Sequence, residues 1–169
     1  MEDDIMQPRI NLMANEIATR FGKRFAAAGQ VVEQSLPKNL QELVALRTSQ
    51  INGCAFCVDM HTKEAAHAGE SATRLNLVAA WREATVFTEA ERAALALAEE
   101  ATRLADGHHG VSDETWAQAR EHYDEDRIAA LVCLVALVNA ANRLNVSVRN
   151  PAGSYEPGML AAMQDSLQH

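Results

Sequence analysis

The stretch of sequence that decides both the fold and the chemistry runs from Ile51 to His61 and reads INGCAFCVDMH. Within it Cys54 and Cys57 lie three positions apart, and His61 follows Cys57 by four positions. Because such positions fall along one stripe of an α-helix, the three side chains are predicted to share a face. Gly53 suits the entry to this helix, which would place both cysteines in the first turn, where the helix dipole favours negative charge.

These three side chains predict redox chemistry. The reactive form of a cysteine is the thiolate, which a neighbouring imidazole or a helix N-terminus stabilises. A neutral His61 can take the proton of the Cys57 thiol, and the resulting imidazolium then stabilises the thiolate. We therefore expect Cys54 and Cys57 to cycle between two thiols and a disulfide.

Glu42 is a further candidate, 12 residues before Cys54 on the preceding predicted helix. The sequence leaves two interpretations open. Within Asn39–Glu42 the glutamate could be the last member of a capping box and satisfy a backbone donor at the helix start. Alternatively, its carboxylate could face the dithiol and either orient His61 or relay protons, as a third group does in nucleophilic catalysis.

Apolar spacing, capping residues and helix breakers predict an all-α fold. Alanine and leucine dominate and aromatic residues make up 5% of the chain, a bias that favours helices over sheets. Helices are predicted over about residues 14–32, 40–50, 54–68, a short segment capped by Ser71, 88–105, 112–122, 125–149 and, weakly, 156–167. The first of these carries the apolar stripe of Ile17, Phe21 and Phe25. We expect a single-domain multi-helix bundle over 13–151, with an arm over 1–12 and a tail over 152–169.

Charge and hydropathy limit the partners. The chain has 169 residues and a net charge of −8 without a basic run, which argues against nucleic acid or an anionic membrane as partner. The most apolar stretch, 128–138, is too short for a membrane span, and we expect it to be buried all round or to form a subunit interface. The first residues, Met1–Asp4, lack the features of a signal peptide. We therefore expect a reducing cytoplasm, where a disulfide is more often transient and catalytic than structural.

A structural zinc site and a thioredoxin fold are the alternatives for the CxxC pair. Zinc usually takes four ligands from two such pairs, and the sequence has no second CxxC and no HxxxH. A thioredoxin CxxC belongs to an α/β fold, which the helical pattern disfavours. Neither a metal nor a bound cofactor is expected.

Seven other positions receive structural interpretations. Cys133 lies within the apolar run and is predicted to pack as a small hydrophobic residue. Trp81 is predicted to lie in the core. Asn139, Asn142 and Arg143 are polar positions on the last long helix and are predicted to form a buried hydrogen-bonded or intersubunit cluster, because such groups need partners. His108 and His109 are predicted to lie in a loop.

Together with Glu42, the stretch Ile51–Lys63 resembles the alkylhydroperoxidase D-like branch of the carboxymuconolactone decarboxylase family. The specific pattern is a glutamate, 11 intervening residues, CxxC, three residues and a histidine. Similar stretches at 80–83, 88–95 and 139–144 extend the resemblance over roughly residues 8–151. It implies an all-helical fold that assembles as trimers or hexamers.

The resemblance also implies reduction of organic hydroperoxides to alcohols. It implies that Cys57 is the peroxidatic thiolate, that Cys54 is the resolving thiol, and that Glu42 and His61 form the proton relay. The implied partners are a hydroperoxide and an external dithiol that restores the pair by exchange. One departure is Phe56, where well-studied peroxidase members carry a second histidine, so a weaker peroxidase activity is expected.

Two rival functions stay open beside this one. A general disulfide oxidoreductase or redox sensor would use the same dithiol on a protein partner. A non-enzymatic helical oligomer would carry the site as a vestige or with a bound metal. Lactone decarboxylation is disfavoured, because the decarboxylases of the family generally lack the CxxC pair.

Overall fold

The computed structural model describes residues 7–107, 110–159 and 162. All regular secondary structure within these residues is helical, which confirms the predicted all-α class. Seven α-helices occur in this described part: α1 Glu16–Glu33, α2 Lys38–Asn52, α3 Ala55–His67, α4 Ala72–Leu77, α5 Glu89–Thr102, α6 Asp113–His122 and α7 Glu125–Val148. Short 3₁₀ turns at Leu12–Ala14 and Val78–Ala80 precede α1 and follow α4.

Local capping fixes most of the helix starts. The side chains of Ser71, Thr88 and Ser112 accept backbone N–H bonds at the starts of α4, α5 and α6, and Ser71 caps its helix as predicted. At Thr88 the reciprocal bonds of a capping box with Glu91 are both present. Helix α5 ends at Thr102 rather than near residue 105, so Leu104 lies exposed beyond the helix.

Helix α2 is the centre of the molecule and contacts α3, α5 and α7. Its residues Leu43, Val44 and Leu46 are fully buried. One hydrophobic cluster joins α2 to α5 and α7, and a second joins α2 to α3, α4 and α5. Trp81 belongs to the second cluster, which confirms its predicted place in the core. Because α2 is buried and carries Glu42, the Glu42 carboxylate lies inside the protein.

Helix α1 differs from the expectation for an amphipathic helix buried along one stripe. Its bounds match the prediction closely, but Ile17 is 77% exposed and Phe21 is 49% exposed. Helix α1 packs against α7, and Val32 of α1 belongs to the hydrophobic cluster that includes α7 residues. Ile17 and Phe21 instead belong to an apolar surface of α1 that no part of the described chain fully covers.

Helix α7 is long and apolar enough to cross a membrane by length and composition alone, with a mean hydropathy of 1.6 over its most apolar window. Leu131, Val135 and Val138 instead pack into the cluster with α2 and α5, as in the core helix of a globular protein. The prediction for Cys133 was wrong, because this thiol is exposed. It lies beside the exposed Val132, on the side of α7 that faces away from the core.

The segment after α7 returns to the outer side of α3. The backbone N–H of Gly153 donates to Asp59 at 2.8 Å, and Lys63 donates to the carbonyls of Gly153 and Tyr155. The Tyr155 hydroxyl donates to Glu64, and its ring is almost fully buried. The predicted last helix over 156–167 lies mostly outside the described residues, as do residues 1–6 of the predicted arm and the predicted loop residues His108 and His109.

Candidate active site

The two cysteines lie at the corner between α2 and α3. Gly53 ends α2 with a left-handed backbone (φ 66°), a conformation that glycine adopts without a steric penalty. Gly53 therefore ends α2 and does not begin α3. Cys54 is the N-cap of α3, and its sulfur accepts the backbone N–H of Cys57 at 3.3 Å. The two residues are joined as a disulfide, and each is only 1% exposed.

His61 lies one turn beyond Cys57 on α3 and pairs with Glu42 on α2. The distance from His61 Nδ1 to Glu42 Oε2 is 2.8 Å, and the distance from Lys38 Nζ to Glu42 Oε1 is 2.7 Å. The capping-box interpretation of Glu42 was wrong. Helix α2 begins after Pro37 without a side-chain cap, and both oxygens of Glu42 are engaged by side chains.

The electrostatics of this cluster keep Glu42 ionised. Burial by itself would raise the pKa of Glu42, which is only 4% exposed. The hydrogen bond and charge of His61, followed by those of Lys38, outweigh burial and hold the pKa of Glu42 below its ordinary value. Burial likewise opposes the charge on Lys38, but Glu42 raises the pKa of that ammonium above its ordinary value.

The Glu42 contact also sets the orientation of the imidazole. An ionised carboxylate only accepts hydrogen bonds, so the proton of a neutral His61 must lie on Nδ1. That tautomer leaves Nε2 as the acceptor. His61 therefore presents a basic nitrogen one helical turn from Cys57, with its ring fixed by a buried anion.

A network of amide side chains fixes the α2–α3 corner against α7. Asn52 donates to both Asn139 and Asn142 at 2.9 Å, and Asn142 donates to the Ser49 hydroxyl at 3.0 Å. Arg143 donates to the carbonyl of Asn139. The predicted hydrogen bonding of Asn139, Asn142 and Arg143 is thus confirmed within one chain, but of the three only Asn142 is fully buried and Arg143 is exposed. It holds the end of α2 from which the Cys54 backbone continues.

Phe56, between the two cysteines, makes a packing contact rather than a polar one. Its ring meets Tyr155 edge to face, with 6.2 Å between centroids. The tail and the CxxC turn are therefore in contact. Among residues 7–107 and 110–159, no three His, Cys, Asp or Glu side chains are grouped so that they could hold a metal ion.

Two cavities lie near the CxxC turn, and Cys54 lines one of them. The first, here called the apolar pocket, has a volume of about 290 Å³ and is bounded by α1, α2, α3 and α7. Glu42 and His61 line it together with apolar side chains, among them Phe25, Val32, Ala45, Met60, Leu134 and Val138. The second, here called the Cys54 cavity, has a volume of about 240 Å³ and is lined by Cys54 and by residues near the end of α7 that include Asn145, Arg149 and Asn150.

The sequence did not reveal either cavity. The residues of the apolar pocket come from four helices and share no local motif, so only their assembly in the fold reveals them. The position of Met60, one residue before His61, is visible in the sequence. Helical periodicity alone, however, cannot distinguish a residue that lines a pocket from one that packs in the core.

Comparison with known proteins identifies the family. The sequence profile of the carboxymuconolactone decarboxylase family matches residues 19–100. The uncharacterized protein YdfG of Bacillus subtilis (strain 168) is 38% identical over 122 residues, which are 72% of this chain and 82% of that protein. The chain belongs to the carboxymuconolactone decarboxylase family. The family name itself denotes an enzyme, and this chain has the alkylhydroperoxidase D-like fold.

Solved structures agree with this assignment. An Agrobacterium tumefaciens protein of unknown function, suggested to be the antioxidant defence protein AhpD, shares 35% sequence identity with a TM-score of 0.81. The match covers 88% of this chain and all (100%) of that chain. The debrominase Bmp8 shares 18% identity with a TM-score of 0.71 over 89% of this chain and 81% of that chain, which shows the common fold alone.

Proposed function

We propose that this family member is a thiol-dependent peroxidase that reduces organic hydroperoxides through Cys54 and Cys57. The observation that carries the proposal is the disulfide at the start of α3 with the His61–Glu42 pair one turn away. A peroxidase of this kind needs a thiolate, a nearby resolving thiol and a group that moves protons, and these residues supply all three.

The cycle balances with these residues. The Cys57 thiolate attacks the terminal oxygen of the hydroperoxide, the O–O bond breaks, and the alkoxide leaves as an alcohol after taking one proton. Cys57 is then a sulfenic acid. The Cys54 thiol condenses with it to give the disulfide and one water molecule. An external dithiol reduces that disulfide by two exchange steps and is itself oxidised.

Each role follows from position. Cys57 lies in the first turn of α3, where the helix dipole and unpaired backbone N–H groups favour an anionic sulfur. His61 Nε2 can accept the thiol proton and later donate it to the alkoxide, while Glu42 balances the imidazolium charge. Cys54 is already within bonding distance of Cys57, as the resolving role requires.

The proposal includes the partners and the setting of the enzyme. The oxidant is an organic hydroperoxide, and the reductant is an external dithiol in a reducing cytoplasm. We also propose a homo-oligomer, a trimer or a hexamer. Its support is the uncovered apolar surface of α1 and the exposed apolar residues of α7, Val132, Leu144 and Val146.

A general disulfide oxidoreductase or redox sensor is the second candidate. One observation favours it, because Cys54 lines a cavity that His61 does not line, which offers a thiol a place beside the disulfide that the peroxide reaction does not use. The near-complete burial of both cysteines favours the peroxidase, since a hydroperoxide is smaller than a protein disulfide.

The test is stopped-flow oxidation of the fully reduced protein by cumene hydroperoxide, with free thiols counted before and after. It uses the Cys133→Ser background, because the exposed third thiol would otherwise react as well. We expect rapid loss of two thiols that Cys57→Ser abolishes. Thiols that stay reduced with peroxide but oxidise readily with a disulfide reagent would overturn the peroxidase proposal in favour of the oxidoreductase.

A further inference from the structure

The apolar pocket has the shape of a site for a small organic molecule. Most of the exposed wall is apolar, with contributions from four helices, including Phe25 on α1 and Leu134 on α7. An engineered apolar cavity of roughly 150 Å³ binds benzene. A volume of about 290 Å³ therefore accommodates a phenyl or short branched alkyl group with room for a polar head.

The polar groups of the wall favour an uncharged ligand. Lys38, Glu42 and His61 are bonded to one another, so they form one connected polar region of the wall. The Lys38 charge is balanced by Glu42, and the further carboxylate of Glu33 at the rim adds negative charge. No cation is left without a partner in this region to recruit an anionic ligand such as a fatty-acid hydroperoxide. The side-chain amide nitrogen of Gln41 donates to the backbone carbonyl of Leu36.

We propose that the apolar pocket binds the organic group of a neutral hydroperoxide and that Gly29 sets the size of that group. This inference rests on the proposed peroxidase function and adds the substrate class. A ligand whose body fills the pocket can direct its polar head to the connected polar region of the wall formed by Lys38, Glu42 and His61. That region lies one turn of α3 from Cys57, so binding brings the peroxide towards the reacting sulfur.

Gly29 offers a direct way to change the pocket. It lines the wall from α1, and a Cβ added there would meet nothing within 4 Å. The first atom of a side chain can therefore be added there without displacing a neighbour. The preceding residue, Ala28, is exposed on the same helix and does not line the pocket. Ala28→Leu is thus a matched control for Gly29→Leu, and Gly29→Ala adds a single methyl group.

The kinetic experiment compares two oxidants, cumene hydroperoxide and hydrogen peroxide, in the Cys133→Ser background. Hydrogen peroxide has no organic group and does not need the pocket. We expect Gly29→Leu to lower the second-order rate constant with cumene hydroperoxide about tenfold or more. The rate constant with hydrogen peroxide should change by less than about twofold. Gly29→Ala and Ala28→Leu should behave like the parent protein. Equal loss with both oxidants, or no loss with either, overturns the inference.

A binding measurement separates this inference from the function on which it rests. Saturation-transfer NMR with 2-phenyl-2-propanol, the alcohol product of cumene hydroperoxide, reports the pocket in the oxidised protein without any turnover. Binding that Gly29→Leu removes and Ala28→Leu retains supports the pocket even if the parent protein reduces no peroxide, in which case only the proposed function fails. Peroxide turnover without such binding overturns the pocket and leaves the function standing. If Gly29→Leu does not fold, Ala141→Leu fills the pocket from the α7 wall and takes its place.

Discussion

The two cavities near the CxxC turn differ in chemistry. The apolar pocket, which Glu42 and His61 line, is mostly hydrocarbon, and Lys38, Glu42 and His61 are paired with one another. The Cys54 cavity is lined by the polar residues Asn145 and Asn150 and by the cationic Arg149. An uncharged organic oxidant suits the first cavity, and an anionic thiolate reductant suits the second. We therefore expect the two half-reactions to use different cavities, the oxidation the apolar pocket and the reduction the Cys54 cavity.

The largest expected effect is at the two sulfurs. In the Cys133→Ser background, Cys57→Ser should reduce peroxide-driven thiol oxidation to the uncatalysed level, a loss of about a thousandfold or more, because serine is not nucleophilic at its ordinary pKa. Cys54→Ser should still react once and stop as a sulfenic acid, which dimedone labelling and mass spectrometry detect. Equal behaviour of the two variants would contradict the assignment of distinct roles.

The relay on the pocket side comes next. His61→Gln should slow oxidation by roughly a hundredfold, within the usual range for a general acid–base group. Glu42→Gln should have an effect of similar size, because it removes the anion that orients the imidazole. The double variant should lose less than the product of the two single losses, since the residues act as one unit.

The control for the relay is His67→Gln on the exposed end of α3, which should leave the rate unchanged. Independent effects of His61 and Glu42 would show that they do not form a relay.

The ionisation of Glu42 also predicts an effect on the stability of the fold. Its pKa is lower in the folded protein than in the unfolded chain, so its stabilisation is present at neutral pH and is lost as pH falls through the folded pKa. The free energy of unfolding of Glu42→Gln should lack the contribution of this carboxylate, so it should fall less than that of the parent protein as pH is lowered through the folded pKa of Glu42.

Local signals in the sequence predicted the helices well. Ser71, Thr88 and Ser112 are capping residues whose bonds form within three residues, so the sequence alone contains the information. Packing could not be predicted in the same way. Ile17 has the spacing of a buried stripe but lies exposed, because no element among the residues that the structure describes covers that side of α1.

The candidate site shows the same limit. The spacing of Cys54, Cys57 and His61 within one helix was enough to predict a shared stripe. The contact between Glu42 and His61 joins two helices, so its geometry depends on how α2 packs on α3. The exposure of Cys133 likewise depends on which side of an apolar helix faces the core.

Arg149 tests the other side of the comparison. Arg149→Gln keeps a long polar side chain at this left-handed C-cap position and removes the charge. A charge pair separated by several ångströms of water is worth under 1 kcal/mol, so the reduction of the disulfide by dithiothreitol thiolate should slow about threefold at low salt. High salt should remove the difference. The oxidative half-reaction should not change, and an equal effect on it would contradict the division between the two sides.

The smallest expected effect is at Lys38, which acts only through Glu42. Lys38→Met removes two of the interactions that lower the pKa of Glu42, so that pKa should rise and the acid limb of the oxidation rate should move to higher pH. Since the Lys38 side chain is 54% exposed and the pair is spaced i,i+4, the shift should be small, and the rate near neutral pH should stay within about twofold of the parent. Lys38→Arg should restore the parent profile. A uniform loss at every pH would instead mean that Lys38 stabilises the start of α2 and does not affect the ionisation of Glu42, and the relay of Glu42 and His61 would then work without it.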